Sequence, residues 1–151
     1  MIPVTERRSE IPRARTDGLP LEGNVGEIES RIETLAQAIR NKNVDQVMSH
    51  YAPDVVTYDL LPPLDVRGIA AYRKNFEKWF ASMSGRIIYE MLDVHIAADE
   101  NHAFVHCLSH ITGARSGGGR ADYWVRVTSG WRKVDGQWLI AHEHISMPTM
   151  M

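Results

Sequence analysis

The stretch TSGWRKVDGQWLIAHEHISMP, residues 128–148, decides how this sequence folds. Two alternating apolar runs flank Asp135-Gly136, a dipeptide suited to the two-residue turn of a β-hairpin. With those two residues in the loop, Val134 pairs with Gln137. An unbroken ladder then sets Trp131 against Ile140, Ser129 against His142 and Val127 against His144. Side chains alternate across a sheet, so these residues share one face. It is the face richer in Trp, Ile and Val, and it is expected to be the buried one. Glu143 falls on the other face, beside Arg126.

Working outward, three further runs read as long strands: RIIYEMLDVHIAA (86–98), HAFVHCLSHITGA (102–114) and ADYWVRVTSGWRKV (121–134). With QWLIAHEHISM (137–147) they make a four-stranded antiparallel meander. The Gly117–Gly119 run joins two of these strands with no helix behind it, so it predicts a hairpin loop and not a phosphate cradle. Upstream, Ile28, Ile32, Leu35, Ala36 and Ile39 recur at helical spacing. Val44, Val47, Met48 and Tyr51 predict a second, short helix ended by Pro53. DVVTYDL (54–60) reads as a strand, and Ile69, Tyr72, Phe76, Trp79 and Phe80 mark a third helix before Gly85. The plan is α+β, with helices covering one face of the sheet. Residues 1–25, with three prolines and little apolar periodicity, are expected to be a flexible arm, and 26–151 the folded domain.

Composition narrows the function classes. A net charge of -2, with no basic face, argues against nucleic-acid binding. No apolar run reaches the length of a membrane span. The N-terminal residues lack the apolar core of a signal peptide. Cys107 is the single cysteine, which excludes an internal disulfide and suits a reducing, cytoplasmic setting. For His142 and His144, three readings are open: structural histidines bonded to a neighbour such as Ser129, a polar cluster at a pocket floor, or a metal pair completed by a carboxylate such as Asp59. His106 and His110 share a face that pattern alone does not orient.

HYAPDVVTYDLLPPLDVRG (50–68) resembles the helix-to-strand passage of ketosteroid-isomerase-like and SnoaL-like proteins of the NTF2-like superfamily. The 128–148 hairpin is similar to the closing hairpin of SnoaL-like proteins and of the calcium/calmodulin-dependent kinase II association domain. The resemblance spans about residues 26–148. It implies a cone: a curved antiparallel sheet around three helices, with a pocket between them. It also implies that Tyr51 and Asp59 keep the spacing of a helix-end tyrosine and a general-base aspartate. Two departures stand out. Leu35 occupies the place of an oxyanion-donating tyrosine. Ser129 replaces both the isomerases' protonated aspartate and the association domain's arginine. Steroid isomerisation is therefore not expected.

The resulting expectation is a small-molecule pocket of SnoaL-like type, without cofactor or metal. It would catalyse proton transfer (isomerisation, cyclisation or dehydration) on an apolar or polyketide-like substrate. Asp59 would be the base, with His142 or His144 as donor, and Tyr51, Tyr72, Trp79, Ser129 and Trp131 would bind substrate. A homodimer or larger homo-oligomer is expected. The alternative is a non-catalytic ligand-binding or oligomerisation module, with Arg126, Glu143, Trp124 and Phe104 as contacts.

Overall fold

Ile28, Ile32, Ala36 and Ile39 repeat every three or four residues, and all four are buried along one stripe of helix α1, Asn24–Arg40. The computed structural model describes residues 23–151. The arm expected over 1–25 therefore lies, up to residue 22, outside the described residues. Asn24 and Val25 already belong to α1, and Val25 is buried. At the far end of α1 the chain turns through Lys42, whose φ is 54°. Arg40 Nε donates to the Tyr89 carbonyl, and Lys42 Nζ donates to that of Met83. These bonds fasten the helix end to the third strand.

Asn43 caps the short α2, Val44–Met48, by accepting from the Gln46 amide. Pro53 does not end this helix. It falls inside β1, Tyr51–Tyr58, where the pairing register with β6 is interrupted between Tyr51 and Val56. Such an irregularity is where a sheet tolerates a residue without an amide hydrogen. A two-residue strand, β2 (Val66–Arg67), precedes α3, Ile69–Ser82. Then come β3 (Met83–Ala98), β4 (His102–Arg115), β5 (Arg120–Val134) and β6 (Gln137–Ser146). The meander is as expected, and Asp135 and Gly136 both take positive φ, as a primed turn requires.

The six strands form one curved, unclosed sheet in the order β2-β1-β6-β5-β4-β3. Neighbours are antiparallel except β1 and β6, which run parallel. The last strand thus lies in the middle of the sheet, next to the first. Helix α1 packs in the concavity against β3 and β6, and α3 closes it over β1. The core between them includes Ile28, Phe76, Ile87, Val94, Trp131 and Ile140.

Ile28 is fully buried on the α1 stripe. Ile28→Ala is expected to lower unfolding stability by about 3 kcal/mol, through lost apolar transfer and the cavity left behind. A urea titration measures it.

Candidate active site

The β5–β6 ladder begins as the turn dictates, with Val134 opposite Gln137 and Trp131 opposite Ile140. It then slips. Gly130 pairs with His142, Ser129 with Glu143 and Thr128 with His144. Ala141 is the extra residue of a β-bulge, and one extra residue reverses the facing of everything beyond it. The faces expected for HEH are therefore exchanged. Glu143 points inward beside Ser129 and is 6% exposed. His142 is half-buried and His144 exposed on the outer face, where the Tyr58 ring packs edge-on against both imidazoles. His142 Nδ1 lies 2.6 Å from the Val56 carbonyl oxygen. Arg126 donates to Ser146 instead of pairing with Glu143.

Glu143 was the residue that pattern reading missed. A signal for it lies in the sequence: Gly130, inside an otherwise well-formed strand, is a common marker of a bulge.

Two tyrosines meet the inward carboxyl. Tyr51, at the start of β1, donates to Glu143 Oε2 at 2.8 Å, and Tyr72, from the inner face of α3, donates to the same oxygen at 2.5 Å. Their rings pack edge to face with centroids 5.2 Å apart. Among the described residues no hydrogen bond reaches Glu143 Oε1 and no cation pairs with the carboxyl. Burial pushes the Glu143 pKa up to about 7, and the negative charge of Asp59 adds to the rise. The two tyrosine hydrogen bonds oppose it. Burial, and then the charge of Glu143, raise both tyrosines well above the usual phenol range, so they remain donors. With Oε2 accepting two hydroxyls, Oε1 is the oxygen open to a proton.

Glu143 borders a small, partly open cavity of about 30 Å³ between α1 and the sheet. Ile32, Leu35, Tyr89, Met91, Val105 and Val127 make most of its wall apolar, and Ser129 and Trp131 also line it. Ser129 Oγ accepts from Trp131 Nε1 at 2.9 Å. Cys107 lines the cavity too, but burial pushes its thiol up to about 12, so it is no nucleophile at neutral pH. The space corresponds to about one water molecule. A larger ligand enters only if the rim parts, and Leu35 and Val127 there are only half-buried.

Asp59 sits just past the end of β1, half-buried. Its Oδ2 accepts from Asn75 Nδ2 at 2.9 Å and its Oδ1 from the Leu60 amide at 2.8 Å. The expected site residues thus divide. Tyr51, Tyr72, Ser129 and Trp131 surround the cavity or its carboxyl, whereas Asp59 and Trp79 are half-buried and do not line it. His142 and His144 lie across the sheet, so they do not join Asp59 in a two-histidine, one-carboxylate set. No group of three or more potential metal ligands converges among the described residues. His106 and His110 also face outward, stacked against His95 and Trp124.

The pH response follows from the raised carboxyl. Between about pH 4.5 and 7 the folded chain holds a proton that the unfolded chain has lost. Stability from this group is thus full below 4.5 and declines as pH rises through 7. Glu143→Gln keeps an acceptor for both tyrosines and removes the titration. Relative to wild type, the variant is expected to gain about 3 kcal/mol between pH 4 and pH 8, read from denaturant melts at each pH.

The sequence model of the family described as SnoaL-like domain matches residues 28–150. No curated protein matches the chain. Among solved structures, an NTF2-like protein of unknown function from Pseudomonas putida KT2440 is 27% identical with a TM-score of 0.76; the match covers 85% of this chain and 91% of that one. A candidate calcium/calmodulin-dependent protein kinase II association domain from Xanthomonas campestris is 23% identical with a TM-score of 0.73, covering 92% and 99%. A candidate dehydratase of the NTF2-like family from Streptomyces avermitilis is 16% identical with a TM-score of 0.72, covering 84% and 97%. The last two show likeness of fold.

Proposed function

The chain belongs to the SnoaL-like domain family, and on that premise we propose that it is a small-molecule pocket protein that catalyses proton transfer. The reaction class is isomerisation, cyclisation or dehydration of an apolar or polyketide-like substrate. One observation carries the reading: Glu143, a buried carboxyl with a pKa pushed to about 7, borders an apolar cavity with one oxygen that makes no hydrogen bond among the described residues. A general acid or base works best when its pKa lies near the working pH. Near neutrality Glu143 populates both forms, so Oε1 can take a proton from a carbon acid or give one to a leaving hydroxyl. Tyr51 and Tyr72 hold Oε2 and fix the direction of Oε1. Substrate enters by displacing the half-buried rim, with Ser129 and Trp131 at the cavity wall. The dehydratase name of the Streptomyces neighbour is in keeping with this chemistry, since loss of water needs such an acid. His142 and His144 have no part in it.

The reading includes a homodimer and a cytoplasmic setting. Ile88 and Phe104, both about half exposed on the outer sheet face, support a self-contact there. Cys107, a buried free thiol, suits a reducing compartment.

Turnover of a panel of enolisable ketones and β-hydroxy carbonyl compounds is expected to fall at least about 100-fold in Glu143→Gln. Equal rates for the two proteins would remove Glu143 from the chemistry. Tyr72→Phe deletes a hydrogen bond that favours the ionised carboxyl, so the limb of the pH–rate profile set by Glu143 is expected to move to higher pH: the acidic limb where it acts as base, the basic limb where it acts as acid.

A further inference from the structure

Asp59 and Glu143 both meet helix α3, and among the described residues no positive charge pairs with either. In the parallel β1–β6 pair, Thr57 stands in register with Glu143, and both point inward. Asp59, just past the end of β1, follows Thr57 by two residues and is held toward α3 by the Asn75 hydrogen bond. Helix α3 spans both carboxyls: Tyr72 donates to Glu143, and Asn75, three residues on, donates to Asp59. The nearby basic residues are engaged elsewhere. Arg67 pairs with Asp65, and Arg73 with Asp45 and Glu77. Arg115 acts electrostatically on Tyr123 but pairs with neither carboxyl. The residues lining the cavity include no Lys, Arg or His.

Between the two carboxyls the structure leaves a polar atom unused. Thr57 is 1% exposed, and its Oγ1 has no hydrogen-bond partner. One turn beyond Asn75, Trp79 Nε1 is buried beside the Tyr123 hydroxyl. A buried hydroxyl without a partner is uncommon and costly, and a ligand atom is one way to satisfy it. Tyr72, Trp79 and Tyr123 add aromatic surface of the kind that attracts a cation. A carboxylate or phosphate ligand would meet two acids and, among the described residues, no counter-charge.

We infer that the pocket selects a small ligand carrying a protonated amine on an apolar body, with the ammonium seated between Asp59, Thr57 Oγ1 and Glu143. The inference rests on the pocket reading above, but not on turnover. Asp59 then acts as the recognition group for the amine, and Glu143 borders the ammonium from the other side.

Calorimetry with three probes of one skeleton tests this: 2-phenylethylamine, 2-phenylethanol and phenylacetate at pH 7. The amine is expected to bind at least about tenfold tighter than the alcohol, and phenylacetate weakest. Asp59→Asn is expected to abolish the preference for amine over alcohol while the alcohol's affinity is retained. Thr57→Val, of the same shape without the hydroxyl, is expected to weaken the amine alone and serves if Asp59→Asn does not fold. No binding of the amine, equal or tighter binding of the alcohol or the acid, or an amine preference that survives substitution would overturn the inference. Amine selectivity alongside equal turnover by wild type and Glu143→Gln would sink the proton-transfer reading and leave this one standing. Loss of turnover in Glu143→Gln without amine selectivity would do the reverse.

Discussion

Two tyrosine hydroxyls, 2.8 and 2.5 Å from one carboxyl oxygen, join three elements that lie far apart in the chain: β1, α3 and β6. A carboxyl in an apolar interior must be neutral, paired or hydrogen-bonded. Here no cation among the described residues pairs with it, so it keeps its proton into the neutral range and lets two phenols share one oxygen. That arrangement constrains its surroundings. Tyr51 must start β1 at the sheet's inner face, and Tyr72 must sit on the inner stripe of α3. The wall around the remaining oxygen must stay apolar for the proton to remain.

Much of the fold was legible because periodicity and turn chemistry are local signals. The stripe of Ile28, Ile32 and Ile39 needed only helical spacing, and Asp135-Gly136 fixed the start of the closing hairpin. The strand partners of Tyr51 were not legible, because a parallel pairing between the first and last strands leaves no turn to read. Pro53 illustrates the same limit. Its missing amide hydrogen predicted a helix end, whereas the register break in β1 accommodates it inside a strand.

The site was legible in its members more than in its arrangement. Tyr51, Tyr72, Ser129 and Trp131 stand where an inward face would put them. HEH was read with its faces exchanged, because parity counting from a turn assumes an unbroken ladder. One extra residue, Ala141, reverses every later side chain. The energetic preference went the same way once the tyrosines are considered: inside, Glu143 finds two donors, whereas the imidazoles gain Tyr58 and solvent outside.

The parallel seam between β1 and β6 has a consequence for how the chain assembles. Tyr51 and Glu143 are separated by 92 positions, so closing that contact demands a large loop and comes at a steep entropic cost. The β3–β6 meander can zip by neighbouring hairpins, but the carboxyl's hydrogen bonds wait for the first strand to dock against the last. During synthesis α1, β1 and α3 leave the ribosome long before their central partner strand exists. The pocket is thus among the last parts of the molecule to form, and its acid stays in water, ionised, until the seam shuts.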